Sequence, residues 1–460
     1  MEGSDYRSLS FWHETLPGPL EARPPLARDE QVDVAIVGAG YTGLWTAYYL
    51  TALEPGIRVA IVEAEIAGFG ASGRNGGWCL GTLAGIKNHL DDPARREGAI
   101  RLQRALFDTV DEVGRVCERE EIDCHYAKGG TVSLATAEAH RELLRRDIEH
   151  WRALGFGEQD FRWLEPDECA ARVGAARNLG GLFFPHCAAI HPARLARGLA
   201  EVVERRGVAI YERSPALALE PHCVVTRAGR LRAQTVVRAT EAYSKTLSGH
   251  GRKLLPMHSM MIATEPLPEM AWKEIGLANR ETFADPRRIV IYGQRTADDR
   301  LAFGARGAYF YGSGIRDRFA PDEAAFEAVR STLESLFPIL REYRITHRWG
   351  GALGIPRDWR PSVGIDRGAG LAWAGGYAGE GVAASNLAGH TLAELILERD
   401  TERVQLPLVG PPFPSWEPEP LRWLGVSAIR RLGESLDAAE LRGGRTPRLR
   451  GALFHTFVRT

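Results

Sequence analysis

The chain has 460 residues, with 58 Lys and Arg against 59 Asp and Glu, a net charge of −1, 44% hydrophobic and 25% charged residues. This balance offers no basic excess to draw in nucleic acid or an anionic membrane surface. The length exceeds what one hydrophobic core ordinarily supports, so two or three domains are expected.

The six cysteines (Cys79, Cys117, Cys124, Cys169, Cys187, Cys223) form no C-x-x-C pair and no His/Cys cluster at metal spacing. That excludes a disulfide framework and a zinc site, and they read as reduced thiols of a cytoplasmic protein. The opening stretch MEGSDYRSLSFWHETLPG has no basic region followed by an apolar run. The most apolar window, Ala35 to Leu53, is interrupted by glycines and polar residues. Neither a secretory signal nor a membrane span is expected.

In chain order, residues 1–31 read as an arm lying across the body. VDVAIVG (32–38) is a Val/Ile-rich run ending on glycine, the pattern of a buried parallel strand, and GAGYTG leads into the helix LWTAYYLTAL. RVAIVE is a second strand ending at Glu63. A helix is predicted over 93–122, a strand at TVSLAT and a helix at HRELLRRDIEHWRAL. HPARLARGLAEVVERRG has proline near its start and glycine at its end, the asymmetry of helix boundaries, and the strand VAIYER follows. Residues 222–350 are mainly strand-like, up to a helix at PDEAAFEAVRSTLESLF. GLAWAGG is again a buried strand, followed by the helix VAASNLAGHTLAELILE. Strands of the first type recur at both ends, so two modules are interleaved. The first takes 32–90, 180–245 and 345–400, the second 91–179 and 246–344, and 401–460 is a C-terminal tail.

Gly38, Gly40 and Gly43 stand in G-x-G-x-x-G spacing after a strand and at the opening of a helix. The first glycine permits the tight turn, the second lets backbone meet a pyrophosphate, and the third allows close helix–strand packing. The helix N-terminus at Tyr41 and Thr42 favours the phosphate charge. Glu63, beside Ala64 at the end of the second strand, stands where a carboxylate accepts ribose hydroxyls. GFGASGRNGGW (68–78) repeats the spacing at Gly68, Gly70 and Gly73, but no buried strand leads into it and no apolar helix follows. It reads as a loop continuing along the same cofactor, with Ser72, Gly73, Arg74, Asn75, Gly76 and Gly77 offering donors.

GAGYTG followed by VEAEIAGFGASGRNGG resembles the D-amino acid oxidase superfamily of FAD-dependent oxidoreductases, and the ASGRNGG form resembles its gamma-glutamylputrescine oxidase-like members. EIDCHYAKGG, VVRATEAYS, RWGGALGIPRDWRPSVGI and WAGGYAGEGVAASNLAGHTLAELI extend the resemblance over about residues 10–400. It implies an α/β fold with an α+β second module: a Rossmann-like FAD-binding domain interleaved with a mainly antiparallel β-sheet substrate domain. VVRATEAYS would place Ala239 and Thr240 near the dinucleotide, with Glu241 where the family usually has asparagine. GGYAGEGV would place Gly376, Gly379, Glu380, Gly381 and Val382 at the flavin, where a helix dipole stabilises negative charge on the ring.

The reaction implied is FAD-dependent oxidation of a primary or secondary amine, with hydride leaving the carbon next to nitrogen for the flavin, hydrolysis of the imine, and oxygen reduced to hydrogen peroxide. A dehydrogenase feeding a carrier and a non-catalytic FAD sensor are the alternatives. The substrate nitrogen must be neutral, which points to an apolar, aromatic pocket; Tyr309, Tyr311, Trp349, Trp359 and Tyr377 are candidates for its walls. Arg306 is a candidate for a substrate carboxylate. His258 either faces the flavin or is a core histidine. Lys245 and Lys253 fall where some relatives place a lysine that promotes oxygen reaction. Cys79 reads as a buried thiol, and no covalent flavin attachment is assigned. The proline-rich start of the tail and its helical LGESLDAAELR read as an appendage packed on the body or on a second subunit.

Overall fold

A computed structural model describes residues 5–443 and 448–458. The elements that place the site are, in chain order, β1 (Glu30–Val37), α1 (Tyr41–Leu53), β2 (Val59–Val62), α2 (Arg96–Arg119), β3 (Ala209–Tyr211), β4 (Arg230–Arg238), β5 (Leu255–Thr264), β6 (Leu301–Ala308), β7 (Ile345–Ile355), β8 (Leu371–Gly375), α3 (Gly381–Ile396), α4 (Leu421–Leu441) and α5 (Arg448–Phe457).

Strands β3, β2, β1, β4 and β8 lie side by side and parallel. The inner half of β1, Val34 to Val37, is buried on both faces, which is why it reads as an unbroken Val/Ile/Ala run rather than an alternating one. Helices α1, α2 and α3 cover one face, where Ile36 and Ile61 meet Leu44, Leu106 and Leu387. Helix α1 is buried almost all round because α3 packs along it.

The second sheet runs from β7 through β5 and β6 to Ile291–Arg295, Thr282–Ala284, Thr131–Leu134, Gly181–Phe184 and Arg162–Leu164. Its pairings are antiparallel except that of Thr282–Ala284 with Thr131–Leu134. The expected fold class is present, but three boundaries differ from the sequence reading. Strands β7 and Gly181–Phe184, assigned above to the first module, pair in the second sheet. Helix α2, assigned to the second, buries Leu102, Leu106 and Val110 in the first core. The apolar patterns of these segments are the same whichever sheet they serve; only the pairing decides.

The arm does lie across the body. Phe11 and Trp12 pack on Trp349, and Arg23 pairs with Glu204 and the fully buried Glu212. The cysteines are buried and unbridged. Among the described residues no group of His, Cys, Asp and Glu is arranged to hold a metal ion, and no helix is long and apolar enough to cross a membrane.

The tail is helical from Leu421, well before LGESLDAAELR, and adds the second helix α5. It packs on the body. Trp416 donates through Nε1 to Ile355 O at 2.8 Å, and Arg357 Nε meets Glu417 at 2.9 Å. Arg288 is the main latch: its guanidinium reaches Asp437 at 3.2 Å and Glu440 at 2.8 Å, while Arg288 N and Ile289 N both donate to Asp437 at 2.9 Å. Removing one partner of a buried ion pair costs about 3–5 kcal/mol, because the opposite charge stays buried. Arg288→Met is therefore expected to lower the melting temperature and to hasten proteolysis between residues 410 and 441. Wild-type rates in both assays would show that the latch does not hold the tail.

Candidate functional site

β1 ends in a turn at Gly38, at φ +106, where a Cβ would stand 2.6 Å from Ala239 O. A Cβ at Gly43 would stand 2.0 Å from Gly38 O, so helix α1 can approach β1 this closely only with glycine there. At the head of α1, Tyr41 N donates to Ser72 Oγ at 2.9 Å. Glu63 accepts from Ala39 N at 2.8 Å and Glu65 N at 3.0 Å. It lies deep in the fold yet keeps accessible surface beside exposed Ala64, and burial lifts its carboxyl to about 7.

The second glycine run starts with a single 3-10 turn, Ala71–Gly73. Arg74 donates to Phe69 O and Asp317 O, each at 2.7 Å, and stacks over the Phe69 ring, which leaves only Nη2 without a partner. The Asn75 side chain donates to Ala71 O and accepts from Gly77 N. These two side chains therefore hold the loop itself, and Arg74 Nη2 is the donor left for the cofactor expected there. Gln294 Nε2 donates to Gly76 O at 2.7 Å and Gly77 O at 3.1 Å and pins the run to the second sheet.

Just after β4, Ala239 N donates to Val37 O, and the Thr240 hydroxyl bonds that of Ser244. Glu241 follows at φ +42. One carboxylate oxygen accepts from Gly354 N at 2.9 Å; the other accepts from Gly376 N at 2.8 Å and Tyr377 N at 3.2 Å. An asparagine has one acceptor oxygen, so the departure from the family pattern has a structural purpose: the carboxylate takes three backbone N–H groups from two elements. Burial raises this carboxyl to about 7 as well. The turn Gly376–Glu380 then opens helix α3 at Gly381 and buried Val382.

Beside this turn lies a cavity of about 1180 Å³, with Arg306 from β6 and Glu380 from the head of α3 in its wall. The Arg306 guanidinium lies against Gly379, where a Cβ would stand 2.6 Å from Nη2. The two charges face each other without forming an ion pair, and Arg306 Nε and Glu380 Oε2 have no hydrogen-bond partner. Burial lifts the Glu380 carboxyl to about 7 against the pull of Arg306.

Of the proposed aromatic walls, Trp359 lines the cavity. The other four make further contacts, and Tyr309 packs with Met257, Trp359 and Trp416 of the wall. Trp349 donates to Arg74 O, and Tyr377 bonds Thr42 through its hydroxyl. Tyr309 donates to Glu419, and Tyr311 is exposed beside Trp423. His258 is fully buried between Phe310 and Phe319, its Nε2 accepts from Arg316 N, and burial lowers its pKa to about 4. It is a neutral core histidine. Lys245 donates to Gly312 O and Ser313 O, and Lys253 lies just before β5. Cys79 is fully buried. Sequence reasoning missed the walls supplied by Met257, Trp416 and helix α4; the tail's recurrent Leu, Val and Ile were the only sign of them.

These residues fit FAD. The glycine turn leaves no room for side chains at Gly38 and Gly43. Glu63, Glu241, Tyr292, Arg306 and Glu380 lie deep in the body with accessible surface. The indole N–H of Trp78, next to Gly77, is buried without a partner.

The model of the FAD dependent oxidoreductase family, DAO, matches residues 33–395. The chain is 30% identical to the gamma-glutamylputrescine oxidoreductase of Escherichia coli K12, covering 81% of this chain and 84% of that protein. It is likewise 30% identical to the probable oxidoreductase OrdL of Haemophilus influenzae, covering 83% and 86%. The glycine oxidase structure from Geobacillus kaustophilus superposes with a TM-score of 0.68 at 22% identity, over 82% of this chain and 98% of its own. The iminodiacetate oxidase of Chelativorans sp. BNC1 gives 0.65 at 20%, over 82% and 99%.

A Cβ at Gly76 would stand 2.6 Å from the Tyr292 ring. Gly76→Val is expected to displace the loop and lower the flavin content of the purified protein; full flavin absorbance in the variant would separate this run from the cofactor. Glu241 makes a pH prediction. Its folded carboxyl, at about 7, keeps a proton that the unfolded chain releases near 4.5, so its contribution is full below 4.5 and lost as pH rises through 7. In flavin-free protein, the melting temperature of the wild type should fall relative to Glu241→Gln across that window and run parallel above it. A constant difference across the window would mean that the carboxyl titrates normally.

Proposed function

Because the chain belongs to the DAO family of FAD-dependent oxidoreductases, we propose that it oxidises a primary or secondary amine at the carbon next to nitrogen, with water hydrolysing the imine and oxygen as final acceptor. Gamma-glutamylputrescine oxidoreductase, among the relatives named above, supports this reaction class. The observation that carries the reading is the pair Arg306 and Glu380, opposite charges facing one cavity at the head of α3 and each with a polar atom left unbonded.

FAD, when bound, supplies the two-electron acceptor. The chain's own residues must present a neutral amine. For a nitrogen with a pKa of about 10.4, neutrality at pH 7 costs roughly 4–5 kcal/mol. Glu380, with its carboxyl at about 7, is a suitable acceptor for the ammonium proton, and Oε2 is the oxygen free to take it. Arg306 holds a substrate carboxylate or another acceptor group and fixes the carbon that is oxidised. The apolar walls exclude water while the nitrogen is neutral.

The decisive experiment is anaerobic mixing of the flavoprotein with a panel of amines and amino acids. Bleaching by one class, followed by oxygen uptake with matching peroxide, supports the proposal. Bleaching with no oxygen uptake would point to a carrier-linked dehydrogenase, and no bleaching by any amine would sink amine oxidation. With the substrate found, kcat/KM should rise with pH through about 7, and Glu380→Gln should remove that limb. Arg306→Met should cost about 10- to 150-fold in KM for a carboxylate substrate, the value of a hydrogen bond to a charged group.

A further inference from the structure

We infer that the C-terminal helices α4 and α5 form the outer wall of the substrate site, and that the substrate is an amine or amino acid with a long apolar body reaching from the Arg306–Glu380 head to that wall. The inference rests on the amine-oxidising reading above.

The cavity, at about 1180 Å³, is larger than a compact amine requires; sites for small molecules run from about 300 to 1,000 Å³. Arg306 and Glu380 form one polar head at the start of α3, and Lys87 pairs with Asp147 at another part of the wall. Away from that head, the second sheet contributes Leu255 and Met257, the helix Glu138–Ala153 contributes Leu143 and Trp151, and α4 contributes Val426 and Ile429. Phe454 of α5 lies on the same wall. Guanidinium groups also line this space, and most meet carboxylates: Arg288 pairs with Asp437 and Glu440, Arg287 with Asp285, Arg357 with Glu417, and Arg422 with Glu419, while Arg146 donates to Glu142 O. A polar substrate body would have to compete with those pairs, whereas an apolar one displaces water from apolar wall and gains with every methylene buried.

The wall is not borrowed from the shared fold, since the family match ends at residue 395 and α4 and α5 lie beyond it. Nor is it a loose flap. The Arg288 latch, the Tyr309–Glu419 hydrogen bond and the Arg177 contact to Leu441 O fasten it to three separate segments of the body. A wall fixed in this way sets the length of the site. Other chains of the same fold with different C-terminal segments would have different lengths.

Two series test this on the holoenzyme. The first measures anaerobic flavin reduction by straight-chain amines from ethylamine to octylamine and by racemic 2-amino acids from alanine to 2-aminooctanoate. The second measures thermal stabilisation by the unreactive carboxylates propionate to octanoate, a binding readout independent of turnover. Affinity should tighten about two- to fourfold per methylene until the chain meets the wall. Two variants then move the wall in opposite directions. Gly425 lines the cavity and a Cβ there meets no atom within 4 Å, so Gly425→Phe has room to shorten the site; Ile429→Ala lengthens it. The optimum should shift to shorter chains in the first and to longer ones in the second. Flavin reduction with no dependence on chain length, or variants that leave the optimum unmoved, would overturn the inference. If no amine reduces the flavin while the carboxylate series still tightens with length and responds to the variants, the wall stands and the amine reading fails.

Discussion

The site depends on one carboxylate. Glu241 sits at the end of β4, a central strand of the first sheet, and takes N–H groups from β7 of the second sheet and from the turn that opens α3. Among the described residues no backbone ladder joins the two sheets. Side chains join them instead, Glu241 at the cavity head and Gln294 and Trp349 along the glycine loop. Three hydrogen bonds to one buried carboxylate offset much of its desolvation, but not all of it, as its raised pKa shows. The strained backbone at Glu241 is a further local cost that the surrounding contacts overcome.

Glu63 and Glu380 repeat the pattern along the same path. Each lies deep in the body, each keeps accessible surface, and burial raises each carboxyl to about 7. Glu63 already has backbone donors from Ala39 and Glu65, and the fold uses it to hold the glycine turn. Glu380 has an oxygen with no partner, and its nearest opposing charge, Arg306, stands off rather than closing on it. A buried acid and base kept apart cost more than a closed pair unless a third body completes them. This is the physical reason for assigning proton transfer to Glu380 rather than to the other two.

What was legible in the sequence was local. GAGYTG could be read because the constraint at Gly43 is a clash with Gly38 O five residues before it, and strand, turn, helix and acid follow in order. The roles of Arg74 and Asn75 were not legible. Donor-rich side chains in a glycine loop suit a cofactor or the loop equally well, and Arg74 is committed by Asp317 and the Phe69 ring, the first remote in sequence. His258 and Trp349 were likewise ambiguous until the packing of Phe310, Phe319 and the arm was visible. Strands β7 and Gly181–Phe184 fell within the bounds of the first module yet pair in the second sheet, because alternation specifies a face and not a neighbour.

The tail shows the same limit most clearly. PPFPSWEPEP has the composition of a linker, yet Trp416 and Glu417 within it are tied to Ile355 and Arg357. Its helices are only weakly amphipathic because two environments compete for them: the cavity on one side and solvent on the other, where Trp423 and Leu424 remain exposed. A segment that closes a cavity cannot carry the sharp apolar stripe of a helix packed into a core. Its wall residues have to leave space, and at Gly425 a Cβ would meet no atom within 4 Å. The same property that hides such a wall from periodicity makes it free to vary, since changing its bulk alters what fits the cavity without disturbing the sheet, the glycine turn or the charged head on which the chemistry rests.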